Sequence, residues 1–157
     1  YKTKYTFPDF ITVSENGQFF CASSEDGIEI FEINGTTANL LYTDTRHYEG
    51  AMFVPSQSDK LLILADADIE IRQMPDFNLI QRLDVSAHGA MICNIDPASM
   101  SLLYYQNDSL KVCKINSITE TIFKIRVKNG DKTCIMFNNK LFSEVGIYFD
   151  INPYLID

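Results

Sequence analysis

Few residues of this chain have the types and spacing of a catalytic or metal site. The 157 residues include two histidines, His47 and His88, and one small group of carboxylates, Asp66, Asp68 and Glu70. A hydrolytic triad needs a His beside a nucleophile and a carboxylate, and a calcium loop needs oxygen ligands at fixed positions. Neither pattern is present, and the carboxylates lie in a predicted turn where they stay hydrated. The sequence therefore predicts no catalytic residue, no metal ligand and no cofactor.

The cysteines also lack the spacing of a reactive or metal-binding site. Cys21, Cys93, Cys113 and Cys134 are widely separated, and no pair has the two-residue spacing of a zinc knuckle or a redox motif. Three of them lie among apolar neighbours on predicted strands, where a reduced Cys packs as a small hydrophobe. We therefore expect free thiols in an intracellular protein of the cytoplasm or nucleus.

A basic stretch made of Lys124, Arg126, Lys128 and Lys132 is the candidate for binding nucleic acid phosphates. The net charge of −8 argues against a broad basic surface and against attraction to anionic lipid. The longest apolar runs, such as Leu61–Ala65, have about a third of the length that a membrane-spanning helix needs. We therefore expect no membrane insertion, and binding of RNA is an alternative function.

Residues typical of protein interfaces occur in two predicted loops. Arg46 and Tyr48 lie in the first loop with His47 between them, and Phe77 lies in a turn after Met74 and Pro75. Arg and aromatic side chains are enriched among the residues that dominate binding energy. We therefore predict that Arg46, Tyr48 and an exposed Phe77 bind partner proteins. The alternatives are an ordinary polar loop with His47 packed inside, and a Phe77 that folds back onto its own sheet.

The elements that position these residues are set by an internal repeat. The segments GIEIFEIN, DIEIRQMP and SLKVCKIN begin at Gly27, Asp68 and Ser109, each 41 positions after the previous one. The upstream segments FITVSENG, AMFVPSQS and ICNIDPAS keep the same step. Each unit contains short β-rich runs separated by turn residues, and Ile28 and Ile30 alternate with Glu29 as in a half-buried strand. Helical periodicity with caps is missing.

Four strands in each unit of this length are what a propeller blade requires. The sequence therefore predicts an all-β fold, a β-propeller with about four blades of four-stranded antiparallel sheet. The alternative is a β-sandwich whose strands are similar by chance, but the ungapped register over three units favours the propeller. The predicted division is the end of an outer strand in 1–9, blade 1 in 10–50, blade 2 in 51–91, blade 3 in 92–132 and a partial blade 4 in 133–157.

The repeat resembles that of the WD-repeat family, whose blades are about 40–45 residues long. In that family a Gly-His pair precedes the innermost strand, an Asp lies in a tight turn and a Trp-Asp pair ends the third strand. His47 and His88 match the His position, and Asp26 and Asp108 match the turn Asp, although the chain contains no Trp. The chain is therefore similar to a divergent member of the WD-repeat family. The resemblance implies that His88 and Asp108 form a hydrogen-bonded network that locks a blade.

The resemblance also implies a larger, seven-bladed propeller, with the remaining blades supplied by the same or another chain. The other possibility is that residues 2–7 complete the last blade and close a four-bladed ring. Proteins of this family commonly bind other proteins. We therefore expect a non-catalytic interaction scaffold in an intracellular complex of the traffic, nuclear or ribosome-assembly type. The alternatives are an RNA-associated assembly factor that uses the basic stretch, and a propeller hydrolase.

Overall fold

The computed structural model describes residues 8–66, 68–84, 91–107, 109–116, 123–126, 134–137, 140–143 and 148–150, with side chains as far as Asn116 except that of Cys93. Every regular element in these ranges is a β-strand, so the all-β prediction is confirmed. The described residues include no helix long and apolar enough to cross a bilayer.

Fifteen strands are present in the described ranges. They are β1 (Phe10–Val13), β2 (Phe19–Ser24), β3 (Gly27–Asn34), β4 (Thr37–Asp44), β5 (Tyr48–Val54), β6 (Gln57–Ala65), β7 (Asp68–Gln73), β8 (Asn78–Asp84), β9 (Met91–Asp96), β10 (Ser101–Gln106), β11 (Ser109–Lys114), β12 (Phe123–Arg126), β13 (Cys134–Phe137), β14 (Lys140–Ser143) and β15 (Tyr148–Asp150).

The strands form four antiparallel sheets in which neighbours in sequence are neighbours in space. β1–β4 form the first sheet, β5–β8 the second and β9–β12 the third, and each of these has four strands. β13–β15 form the fourth sheet, with three strands in the described ranges. The four-stranded antiparallel units predicted from the sequence are thus confirmed. The exact unit boundaries stay predictions.

The repeat in sequence is also a repeat in backbone structure. β3 and β7 each carry a bulge in their pairing with the last strand of the sheet, directly after Ile30 and Ile71, which are 41 positions apart. Equivalent backbone hydrogen bonds extend the pairing of the second and third strands at the end away from their turn. They run from Ile33 N to Gln18 O (2.7 Å), Met74 N to Asp59 O (2.7 Å) and Ile115 N to Met100 O (2.9 Å).

The turns of these hairpins use residues that tolerate a left-handed backbone. Asp66 and Asn107, 41 positions apart, have φ values of 55° and 50°. Asp and Asn are the non-glycine residues that most readily adopt this conformation. In the first sheet the hairpin reaches Gly27, which has a φ of 144° that only glycine adopts easily. The polar turns seen in the sequence therefore have a specific conformational role.

The chain divides into two compact units, the first ending at Ser86 and the second beginning at Ala87. In the first unit, the first and second sheets enclose an apolar core that includes Cys21, Ile30 and Ile63. The rings of Phe19 and Phe53 stack across it with their centroids 6.4 Å apart. In the second unit, β9 of the third sheet lies beside β13 of the fourth. Burial of these apolar faces is the main stabilising contribution.

Polar contacts tie the inner strands of the first two sheets together. The backbone N–H of Phe53 donates to Thr12 Oγ1 at 3.4 Å, and that of Ser56 donates to the Glu15 carboxylate at 2.8 Å. Both hydrogen bonds join positions that are 41 residues apart. Neighbouring repeats are therefore in direct contact at equivalent positions, as expected for a repeat whose units cover one another.

Candidate functional site

The candidate site is a group of polar side chains between the first and second sheets, formed by Asp44, Arg46, Tyr48, Glu70 and Arg72 and here called the inter-sheet cluster. Asp44 ends β4, Arg46 lies in the connection that follows, and Tyr48 begins β5. Glu70 and Arg72 are alternate residues of β7, so their side chains leave the same face of the second sheet.

Glu70 is the centre of the cluster. Its side chain is only 3% exposed. Its partners are Arg72 on the same strand and Arg46 in the connection between the first and second sheets. Oε2 accepts hydrogen bonds from Arg72 Nη2 at 2.6 Å and Arg72 Nε at 2.8 Å, while Oε1 accepts one from Arg46 Nη1 at 3.4 Å. A buried carboxylate is costly unless charged donors surround it. The two arginines supply these donors.

Asp44 receives an even denser set of donors. Its Oδ2 accepts from Arg46 Nε at 2.7 Å and from Tyr48 Oη at 2.9 Å, and its Oδ1 accepts from the backbone N–H of Thr45 at 2.6 Å. Partial burial alone would raise the pKa of this carboxyl, but the hydrogen bonds from Arg46, Tyr48 and Thr45 outweigh it and hold the pKa well below its usual range. Asp44 is therefore ionised at neutral pH.

Tyr48 and Arg46 both keep their protons at neutral pH. Burial, followed by the neighbouring Asp44 carboxylate, raises the pKa of Tyr48, so the phenol stays neutral and donates its proton. Arg46 also donates from Nη2 to Tyr48 Oη at 3.1 Å. Partial burial alone would lower the pKa of Arg46, but its hydrogen bond to Asp44 outweighs this and raises the pKa above its usual value, so the guanidinium stays protonated. The cluster is thus a set of acidic and basic side chains that are held in place by hydrogen bonds to one another.

Acidification is expected to destabilise the fold through Asp44. Because the pKa of Asp44 is lower in the folded chain than in the unfolded chain, where an Asp titrates near about 4, its ionised form stabilises the folded state above that pH. This stabilisation is lost as the pH falls further. We expect the free energy of unfolding, measured with urea at about pH 7 and at about pH 3, to fall less between these two pH values for Asp44→Asn than for the wild type. An equal loss in both chains would contradict this role of Asp44.

The three residues predicted to bind partners meet at this cluster. Arg46 lies with its guanidinium carbon 5.4 Å from the centre of the Tyr48 ring, and that of Arg72 lies 5.0 Å from the centre of the Phe77 ring. Glu70 links the two arginines. The sequence identified Arg46 and Tyr48 in one loop and Phe77 in another, and the structure brings the two loops into one region.

The expectation of an exposed Phe77 is wrong. The side chain is 4% exposed and packs on Tyr42, with the ring centroids 3.9 Å apart. Phe77 has a φ of 58°, and its ring contacts Tyr42 of the first sheet as well as Arg72 of its own sheet, so the alternative of a ring folded back onto its own sheet is only partly right. Tyr48 is likewise buried, at 1% exposure, whereas the Arg46 side chain is 33% exposed. A partner-binding role stays a prediction, and among these three residues only Arg46 offers accessible surface to it.

Two other interpretations also need correction. His47 does not pack inside the loop, since its side chain is 43% exposed and its Nε2 lies 3.5 Å from Glu49 Oε1. The carboxylates near Asp66 are not all hydrated, because Glu70 is buried and Asp68 forms an ion pair with Arg82. Within the ranges that the structure describes, no three His, Cys, Asp or Glu side chains are placed to hold a metal ion.

The thiols that the structure describes are buried and reduced. Cys21 and Cys113 are free cysteines, and burial raises the pKa of both, that of Cys113 to about 12. A thiol with such a pKa is not a nucleophile at neutral pH. The prediction that these two residues pack as small hydrophobes is confirmed.

Other predicted residues lie outside what the structure describes. His88 and Asp108, the implied structural network, are not among the described residues, and neither are Lys128 and Lys132. Lys124 and Arg126 belong to β12, of which only the backbone is described. The network and the nucleic acid site stay predictions.

Sequence reasoning missed Asp44, Glu70 and Arg72 as members of a site. One signal was present, because Glu29 and Glu70 occupy equivalent positions 41 residues apart on the third strand of their sheets. Alternation with Ile28 and Ile30 suggested that Glu29 faces solvent. This is wrong, since Glu29 and Glu70 are each 3% exposed.

Comparison with known proteins identifies the fold. No protein-family model matches the chain, and no curated protein sequence matches it. Among 483 matching chains of solved structures is Hsv2 of Kluyvelomyces marxianus, a β-propeller protein. The match has 13% sequence identity and a TM-score of 0.56, and it covers 85% of this chain and 43% of Hsv2. The chain thus spans less than half the length of that relative. Together with the repeated antiparallel sheets, this likeness shows that the chain has a β-propeller fold whose sheets are its blades.

Proposed function

We propose that this chain is a non-catalytic scaffold, a divergent WD-repeat-like section of propeller that binds other proteins within an intracellular complex. The observation that carries the proposal is a contrast within the first unit. The polar groups of the inter-sheet cluster are satisfied by one another, whereas large apolar side chains are exposed on the outer strands. Surfaces of this kind favour binding of proteins over chemistry.

The inter-sheet cluster is poorly suited to acid or base catalysis. A general acid or base needs a pKa near the working pH so that it can exchange protons. The pKa of Asp44 is well below that range, the pKa of Tyr48 is above it, and Arg46 holds its proton. Both oxygens of Glu70 already accept hydrogen bonds from arginines. These features support a structural role for the cluster.

The outer strands of the first two blades carry an apolar surface, here called the rim surface. Leu40 and Leu41 on β4 are 42% and 36% exposed, and Leu79 and Ile80 on β8 are 47% and 41% exposed. β4 and β8 are the last strands of their sheets, and Tyr42 and Phe77 connect the two blades beside them. Exposed aliphatic groups on the last strands of these two sheets are able to bury against apolar patches of a partner protein.

Adding charge to the rim surface is expected to abolish partner binding. Leu40→Asp combined with Leu79→Asp replaces two exposed aliphatic side chains, so the fold tolerates the change while an apolar partner loses its contacts. In affinity purification of the tagged chain from its native cells, followed by quantitative mass spectrometry, we expect enrichment of the bound proteins to fall by about tenfold or more, the equivalent of about 1.4 kcal/mol.

The matched control is Asn39→Asp combined with Asn78→Asp. It adds the same charge to the same two strands without removing an apolar group, and it should leave enrichment unchanged. Partner enrichment that survives the leucine substitutions would contradict the proposed binding surface. An enzymatic activity of the purified chain that Asp44→Asn abolishes would contradict the proposed absence of catalysis.

A further inference from the structure

The turn between β3 and β4 contains an Asn-Gly pair, Asn34 and Gly35. Both residues are exposed, and Asn34 ends β3, where it pairs with Thr37 at the start of β4. Gly35 has a φ of 62°, a conformation that glycine adopts without strain in a two-residue hairpin turn. The second sheet has Pro75 and Asp76 at the equivalent positions, so the repeat itself does not require an Asn-Gly pair.

An asparagine that precedes a glycine places an electrophile and a nucleophile in one short segment. The electrophile is the amide carbon Cγ of Asn34, and the nucleophile is the backbone nitrogen of Gly35. Bonding between them closes a five-membered ring, and glycine has no β-carbon to shield its nitrogen. A β-carbon at Gly35 would have nothing within 4 Å, so the turn is open at this point. Among the described residues the Gly35 N–H has no hydrogen-bond acceptor.

A second Asn-Gly pair, formed by Asn16 and Gly17, has both of its reacting groups held by hydrogen bonds. The N–H of Gly17 donates to Ser14 O at 2.8 Å. Asn16 Oδ1 accepts from Ser14 Oγ at 2.8 Å and from the backbone N–H of Gln18 at 3.0 Å. Ring closure at Asn16 would have to break these hydrogen bonds first.

The side chain of Asn34 is held much more loosely than that of Asn16. Its Nδ2 donates to Glu32 Oε2 at 3.0 Å, and this hydrogen bond joins exposed groups, where water competes with it. The two Asn-Gly pairs thus have the same chemistry but different restraints. The structure leaves Asn34 able to react and protects Asn16.

We propose that Asn34 is a modification site at which the chain modifies itself, with water as the co-reactant. The Gly35 nitrogen loses its proton and bonds to Asn34 Cγ, and the Cγ–Nδ2 bond breaks, so that the amide nitrogen leaves with that proton as ammonia. Water then opens the resulting succinimide ring at one of its two C–N bonds. Opening at Cγ gives aspartate, and opening at the main-chain carbonyl gives isoaspartate, in which the main chain runs through the side-chain carbons. No oxidant or reductant takes part.

Both products change the end of the β3–β4 hairpin. Each has a carboxylate where the Asn34 amide donates to the Glu32 carboxylate, so an attraction becomes a repulsion between like charges on one face of the strand. Isoaspartate also adds one carbon to the main chain beside the Asn34–Thr37 pair, where Thr37 Oγ1 donates to Asn34 O at 2.9 Å. The inference rests on this turn and does not depend on the proposed scaffold function.

The test incubates the full chain at neutral pH and physiological temperature in water enriched in oxygen-18. Cleavage after glutamate separates the two pairs, with Asn16 in residues 16–25 and Asn34 in residues 33–49. Mass spectrometry then measures aspartate and isoaspartate in each peptide, and the heavy oxygen marks ring opening that took place during the incubation. We expect Asn34 to react at least about tenfold faster than Asn16, because ring closure at Asn16 must break more hydrogen bonds.

Two controls separate structure from sequence. In urea concentrated enough to unfold the chain, both pairs should react at similar rates, because the protection of Asn16 depends on the fold. Asn34→Gln keeps a side-chain amide but does not form the five-membered ring, so it should remove the modification from residues 33–49. This variant also excludes Asn39, which lies in the same peptide.

Isoaspartate together with aspartate at Asn34 would support the ring as the route. Aspartate alone would indicate direct hydrolysis of the side-chain amide and would overturn the proposal. It would also be overturned if Asn34 reacted no faster than Asn16 in the folded chain, or if the difference between them persisted unchanged in urea. None of these measurements involves partner binding, so this inference and the proposed scaffold function can fail separately.

Discussion

Replacement of Glu70 by Leu is expected to lower the free energy of unfolding by about 3 kcal/mol, at the low end of the range for a broken buried ion pair. The substitution leaves Arg46 and Arg72 without their shared carboxylate. Their side chains are 33% and 18% exposed, so water compensates in part. Urea unfolding of the purified chain measures the change.

Two variants separate the charge of Glu70 from its shape. Glu70→Gln keeps the size and one acceptor oxygen, so it should be less destabilising than Glu70→Leu. Asp68 lies two positions before Glu70 on β7 and forms an ion pair with Arg82, whose side chain is 58% exposed. Asp68→Asn breaks this pair and should leave the unfolding midpoint nearly unchanged. If Glu70→Leu were as stable as the wild type, Glu70 would not hold the two blades together.

Replacement of Phe77 by Ala is expected to lower the free energy of unfolding by about 3–5 kcal/mol, as for other buried aromatic residues. The ring is 4% exposed, packs on Tyr42 and lies under the guanidinium of Arg72. Its removal leaves a cavity at the outer end of the boundary between the first and second blades. Urea unfolding again gives the change, with Leu79→Ala on the exposed side of the adjacent strand as the control.

The backbone of Phe77 adds a distinctive expectation. With a φ of 58°, this residue lies in the left-handed region, where a β-carbon costs about 1–2 kcal/mol. Phe77→Gly removes this cost. It also raises the conformational entropy of the unfolded chain, which lowers the free energy of unfolding by about 0.4–1 kcal/mol. We therefore expect Phe77→Gly to be slightly more stable than Phe77→Ala, the reverse of the usual order. A less stable glycine variant would contradict this account of the turn.

The candidate site was only partly predictable because its members are distant in sequence. Arg46 and Tyr48 were identified because Arg and aromatic residues are typical of interfaces, but that rule does not reveal burial. Arg46 and Glu70 are 24 positions apart, and their contact depends on how the first two blades pack. No periodicity in the sequence reports such a contact. The same limit applies to Phe77, whose ring packs on Tyr42 of the first blade, 35 positions earlier in the sequence.

The sequence by itself determined the strands, the turns and their repetition. Alternating apolar residues and turn-forming Asp, Asn and Gly are local signals, so the 41-residue step appears again in the bulges after Ile30 and Ile71. Tertiary structure alone decided which faces are covered. Glu29 and Glu70 are buried although they alternate with isoleucines, because burial depends on what packs over a strand, and Ile11 is exposed for the same reason.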